Sequence, residues 1–119
     1  MTGGLARERC EACNRTTAAV TESEWGALLA QLAPAWALAS GHLHCTVPTG
    51  SFAEAFALAT RIALLAEAEG HHPTLTVAWG RLEVDLVTHA IGGLSRNDFR
   101  LGAKIDAAHG WPARAPAAR

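Results

Sequence analysis

The stretch T-L-T-V-A-W-G-R-L-E-V-D-L-V, Thr74 to Val87, constrains the fold more than any other part of the chain. Leu75, Val77 and Trp79 alternate with Thr74, Thr76 and Ala78, and Leu82, Val84 and Leu86 alternate with Glu83, Asp85 and Val87. Successive side chains of a strand point to opposite faces, so each run has one apolar face. Gly80-Arg81 can form the turn between them, which predicts an antiparallel hairpin.

A second such unit lies upstream. Trp36 and Leu38 alternate with alanines, Ser40-Gly41 is a turn signal, and Leu43, Cys45 and Val47 alternate with His44 and Thr46. This pattern predicts another hairpin, with His42 and His44 as solvent-facing strand residues. Helix signals surround the two hairpins. In T-E-S-E, Thr21 can cap a helix while Glu24 reaches back to the cap N–H. Trp25, Leu28, Leu29 and Leu32 follow at helical spacing until Pro34 stops them. A second capping box, Ser51 to Glu54, opens the longest helix, with an expected apolar stripe of Phe52, Phe56, Ala59, Ala63 and Ala66. Gly70 fits the position just past its end. Ser95 to Asp98 starts a last helix carrying Phe99, Leu101, Ile105 and Ala108.

The order α-β-β-α-β-β-α predicts an α+β domain: a four-stranded antiparallel sheet with three helices on one face. The other face needs cover or a polar surface, and a subunit interface is one way to supply cover. The 119 residues fit one domain, with residues 1–20 an extended N-terminal segment and residues 110–119 a loose tail. Half the residues are hydrophobic, enough for a core.

A net charge of −1 gives no electrostatic case for nucleic acid or an anionic membrane. No apolar run is long enough to span a bilayer, and the N-terminus has no signal-peptide core, so a cytoplasmic protein is expected. Three cysteines do not suggest a disulfide framework. Cys10-x-x-Cys13 is only half of a structural zinc set, and no second pair completes it.

The histidines carry the chemical interest. His71 and His72 fall in E-A-E-G-H-H-P, the break between the long helix and the third strand. Pro73 holds His72 extended, so the two adjacent side chains diverge and are not expected to grip one ion. His89 ends the fourth strand. Because the third and fourth strands form a tight hairpin, His71–Pro73 and His89 converge at one rim of the sheet. Glu67 lies one turn before His71, and Asp98 sits in the first turn of the last helix, where a carboxylate is favoured. An unperturbed imidazole titrates near ~6.5, so acid–base chemistry near neutral pH is available there.

E-A-E-G-H-H-P followed by W-G-R-L-E-V-D-L-V-T-H-A-I-G-G-L-S-R-N-D-F resembles the pterin-4a-carbinolamine dehydratases. Glu67, His71, His72, Pro73, Trp79, Thr88, His89, Gly93, Leu94, Ser95 and Asp98 fill the places of that family's pattern, from about Thr21 to Ile105. The family usually has tyrosine at the position of Trp79, and a more basic and aromatic second strand than His44-Cys45-Thr46. The resemblance implies a pterin substrate, no cofactor or metal, and self-association as a homodimer or homotetramer. It implies dehydration of 4a-hydroxytetrahydropterin to quinonoid dihydropterin, with His71, His72 and His89 as the catalytic set. Glu67, Pro73 and Asp98 would support them, and Trp36 aligns with a tryptophan near the pterin in relatives. Two rivals stand beside this reading. One is a non-catalytic role on the same fold, as a binding partner, a Rubisco assembly factor or a transcriptional partner. The other is a small metal-binding protein using Cys10, Cys13 and histidines.

Overall fold

A computed structural model describes residues 4–114. It has one four-stranded antiparallel sheet with helices on one face, an α+β architecture. The elements are α1 (Gly4–Arg7), α2 (Glu22–Leu29), β1 (Trp36–Ala39), β2 (His42–Pro48), α3 (Phe52–Glu69), β3 (Thr74–Ala78), β4 (Arg81–Leu86) and α4 (Arg96–His109), with a 3-10 turn over His89–Ile91. The spatial order β1-β2-β4-β3 puts the two hairpins side by side with β2 and β4 central. Leu43, Cys45, Leu82, Val84 and Leu86 are fully buried on the helix side. His42, His44, Glu83 and Asp85 alternate with them and face the other way.

Both hairpins form, each with its own turn chemistry. Ser40 and Gly41 have φ of +51° and +81°, the pair of positive values that a type I′ turn requires. The second turn is Trp79-Gly80 rather than Gly80-Arg81, because Ala78 pairs directly with Arg81. Gly80 supplies the positive φ of +80°, and Trp79 projects from the loop instead of extending β3.

Helix α2 is shorter than its spacing suggests. Thr21 N–H donates to Glu24 Oε1 at 3.0 Å, as the capping pattern requires. At the far end, the N–H groups of Gln31 and Leu32 turn to carbonyls three residues back, so the helix tightens and closes before Pro34. This turn delivers Leu32 to the core. Helix α3 keeps its expected limits, closed by Ser51 Oγ at one end and Gly70 at φ +68° at the other. Its buried face differs from the expected stripe: Ala55, Leu58, Ala59, Ile62 and Ala66 pack inward, while Phe52 and Phe56 are exposed and Ala63 faces out. Apolar residues surround most of this helix, so periodicity alone did not fix its rotation. Ala108, expected on the apolar side of α4, is also exposed.

Helix α4 holds the N-terminal segment against the core. Gly102 packs against the core beside the Leu32 side chain and the Trp36 ring. Residues 4–20 are anchored rather than simply extended. Leu5 is buried, Glu8 bridges Arg96 and Arg100 at 2.8 Å each, and Cys10 N–H donates to Glu69 Oε1. The two guanidiniums hold the Glu8 carboxyl down at about 2. The start of the expected loose tail is also tied down. Arg114 N–H donates to the Leu32 carbonyl, and its guanidinium donates to the carbonyls of Leu29 and Trp36. Residues 115–119 of that tail lie outside the described residues. Among the described residues, no helix is long and apolar enough to cross a membrane.

Two outcomes follow. Ser40 is the one described non-glycine residue with positive φ, and asparagine tolerates that region better. Ser40→Asn should raise stability by about 0.5–1 kcal/mol in urea denaturation. Asp106 is buried, and its oxygens accept from Ala33 N–H at 2.7 Å and Trp36 Nε1–H at 2.9 Å. Burial outweighs these donors and pushes its carboxyl up to about 6, against an ordinary 3.8. A folded value above the unfolded one means that the group's stabilising contribution is complete below about pH 4 and is lost as pH rises through about 6. Wild type should therefore lose about 3 kcal/mol between pH ~4 and ~7 relative to Asp106→Asn, read from paired denaturation curves.

Candidate active site

The end of α3 sets the position of the two adjacent histidines. Gly70 takes the left-handed conformation, and His71 N–H turns back to the Ala66 carbonyl at 3.3 Å. This is the six-to-one closure that ends many helices. It directs the chain from α3 toward β3. His71 then points into the protein and is only 7 % exposed, whereas the His72 side chain is 62 % exposed. The divergence expected from Pro73 is present, and each imidazole meets its own carboxylate. His71 Nε2 lies 2.7 Å from Asp98 Oδ1, and His72 Nε2 lies 2.8 Å from Glu67 Oε1.

Asp98 is the centre of the arrangement. It is fully buried in the first turn of α4. Oδ1 accepts from His71, and Oδ2 accepts from Thr88 Oγ1 at 2.8 Å and from Ser95 N–H at 2.9 Å. Thr88 Oγ1 and Ser95 Oγ are 2.6 Å apart. One carboxylate thus joins the α3–β3 junction, the segment after β4 and the N-cap of α4. A helix N-terminus and three donors compensate the burial of its charge. A carboxylate only accepts, so His71 donates through Nε2, and in the neutral imidazole Nδ1 is then the acceptor. Among the described residues Nδ1 makes no hydrogen bond, yet no buried polar side-chain atom there is unpaired, so Nδ1 is not fully enclosed.

His89 differs from expectation in detail. Strand β4 ends at Leu86, and His89 begins the 3-10 turn rather than ending the strand. Thr88 N–H donates to the Gly93 carbonyl at 2.8 Å, and Gly92 at φ +60° lets the loop fold back. The loop reverses because Thr88 is drawn inward to Asp98 and Ser95. His89, the next residue, is left exposed at the same rim as His71. Pro73 is half-buried immediately before β3.

Trp36 stands apart from this cluster. It is fully buried in edge strand β1, on the side of the sheet distant from β3, and its indole N–H is taken by Asp106. Asp106 is eight residues beyond Asp98 on α4, about 12 Å along the helix. The structure therefore gives Trp36 a core role and does not bring it to the histidines. Thr88 and Ser95 do more than pattern matching suggests, because their hydroxyls join the Asp98 network. The local signal was only a capping residue, and the Thr88 contact needs the loop between them to close.

The cysteines lie elsewhere. Cys10 Sγ is 3.8 Å from the Asn97 carbonyl, and Asn97 Nδ2 donates to Cys13 Sγ at 3.0 Å. Burial pushes the Cys10 thiol up to about 11 and the Cys45 thiol up to about 12, which makes both poor nucleophiles near neutral pH.

Comparison with known proteins gives a consistent result. The family model described as pterin 4 alpha carbinolamine dehydratase matches residues 18–108. A candidate pterin-4-alpha-carbinolamine dehydratase of Rickettsia canadensis is 38% identical over 103 residues, covering 86% of this chain and 94% of that protein. A similarly named protein of Gloeobacter violaceus is 41% identical over 107 residues, covering 87% of this chain and 91% of the relative. A Brucella melitensis crystal structure, described as a transcriptional coactivator/pterin dehydratase, superposes with a TM-score of 0.69 at 29% identity. It covers 76% of this chain and 97% of its own. Sequence, fold and relatives agree, and this chain belongs to the pterin 4 alpha carbinolamine dehydratase family.

Proposed function

We propose that this protein dehydrates 4a-hydroxytetrahydropterin, giving a quinonoid dihydropterin and water. Family membership supports the substrate class, and the Asp98–His71 pair is the observation that carries the chemistry. The substrate has a hydroxyl on C4a beside N5–H. Breaking the C4a–O bond needs a proton delivered to the leaving oxygen, and the resulting cation is quenched by losing the N5 proton. No electrons are exchanged with a cofactor.

His71, oriented through Nε2 by Asp98, offers Nδ1 for one proton transfer. His89 at the same rim offers the other. His72, with Glu67 as its partner, binds the pterin and steadies the developing positive charge. The exposed Glu67–His72 pair contributes little to stability, which fits a role in binding. In this reading the Asp98 network holds the base in place before substrate arrives.

Self-association as a homodimer or homotetramer forms part of the proposal, supported by Phe52, Phe56 and Leu64 exposed on α3. Three free cysteines suit a reducing, cytoplasmic compartment. The same α3 surface supports a second reading, a non-catalytic role with a protein partner.

The test generates 4a-hydroxytetrahydropterin in situ and follows its decay. Wild type should accelerate dehydration, and His89→Ala should lower turnover by about 10²-fold, with residual activity from the other imidazoles. His72→Ala should act mainly on KM. Full turnover in His89→Ala, or an unchanged KM in His72→Ala, would reject these assignments. No acceleration by folded wild type would favour the partner-binding reading. Asp98→Asn places an amide N–H₂ against existing donors. It should lower stability by about 2–3 kcal/mol, measured by denaturation, and reduce kcat at temperatures where the variant stays folded.

A further inference from the structure

A second histidine cluster lies on the open face of the sheet. His42 and His44 are two residues apart on β2 and project from the same side. Asp85 on β4 is the register partner of His44. His42 Nε2 and His44 Nδ1 approach the same carboxylate oxygen, Asp85 Oδ1, at 2.8 and 2.7 Å. One potential ligand atom from each residue lies within 4.8 Å of the others. The two rings stand edge to face at 78°, so their nitrogens converge on the carboxylate instead of stacking.

The surroundings suit an ion. The three side chains are 25–30 % exposed, shielded yet reachable. The other nitrogen of His44, Nε2, is 2.9 Å from Thr46 Oγ1 and 3.9 Å from Glu83 Oε1. Metal-bound imidazoles generally donate their second N–H to such a partner, which fixes the ring. Ala37 and Ala39 pair with His44 and His42, and Thr74 pairs with Asp85, so no bulky register neighbour covers the cluster.

We propose that His42, His44 and Asp85 form a binding site for a divalent transition-metal ion, Zn²⁺ fitting best. Two imidazoles and one carboxylate are a borderline nitrogen–oxygen set, unlike the all-oxygen shells of Ca²⁺ and Mg²⁺. Metal–ligand bonds of about 2.0–2.2 Å in tetrahedral geometry separate ligand atoms by about 3.3–3.5 Å. The present contacts of 2.8 and 2.7 Å reach that spacing by opening about 0.5–0.8 Å, within small torsional changes on two paired strands. Water fills the remaining coordination. Binding exchanges the His44–Asp85 hydrogen bond and the His42–Asp85 contact for metal bonds and links β2 to β4. The site shares no residue with the His71–Asp98 network, which faces the helices.

The test titrates chelator-stripped protein with zinc sulfate by calorimetry and counts bound ion. One zinc per chain is expected. His42→Ala and Asp85→Asn should each weaken binding at least about tenfold, the loss that even an outer partner of a metal ligand causes. His72→Ala and the double variant Cys10→Ser/Cys13→Ser should leave it unchanged. Cobalt(II) in the same site should show ligand-field bands without a thiolate charge-transfer band. Circular dichroism confirms that each variant is folded, and His42, being partly exposed, gives the safer substitution. The proposal is overturned if wild type binds no zinc, if binding survives His42→Ala and Asp85→Asn, or if it disappears with the cysteines.

Discussion

The buried carboxylate of Asp98 is the interaction on which the rest of the site depends. Its two oxygens take His71 from the end of α3, Thr88 from the segment after β4 and the Ser95 N–H from the N-cap of α4. Each partner comes from a different part of the chain. Each supports the others, because a buried charge missing one donor bears a desolvation cost comparable to the contact itself. The loop between Thr88 and Ser95 folds as it does because both its ends are drawn to one point. His89 is exposed because its neighbour is not.

The two adjacent histidines show how strongly environment separates equal residues. His71 sits against a fully buried carboxylate, and His72 against an exposed one. The first pair is enclosed, and the second lies at the surface. Helix α4 supplies more than Asp98. Arg96, Asn97 and Arg100 hold the N-terminal segment, and Asp106 holds the α2–β1 connection through Ala33 and Trp36. One helix therefore carries the site at its start and a structural clamp near its end.

Much of this was legible in the residues. Alternation revealed both hairpins, and hairpin geometry brought His71 and the 88–89 segment to one rim. The family pattern named the same residues. What escaped the sequence has identifiable causes. The apolar stripe of α3 was misplaced because alanine, leucine and phenylalanine occupy nearly every direction around that helix. Sheet contact then selected Ala55, Leu58 and Ile62, leaving Phe52 and Phe56 outside. The expected extended segment at the N-terminus hid Leu5 and Glu8, since a four-residue helix has no periodic signal. Trp36 went to the core because Asp106 accepts its N–H. His42 and His44 read as ordinary strand residues until the β2–β4 register set Asp85 beside them.

Local chemistry fixed the elements: caps at Thr21, Ser51 and Ser95, left-handed turns at Gly70 and Gly80, and strand faces set by a period of two. These depend on neighbours within a few positions, which a linear chain displays directly. Pairing of carboxylates with imidazoles was settled by folding alone. Glu67 and His72 are five apart, but Asp98 meets His71 from 27 residues away and Asp85 meets His44 from 41. Contacts of that separation depend on strand register and helix rotation, and only the packed core sets both.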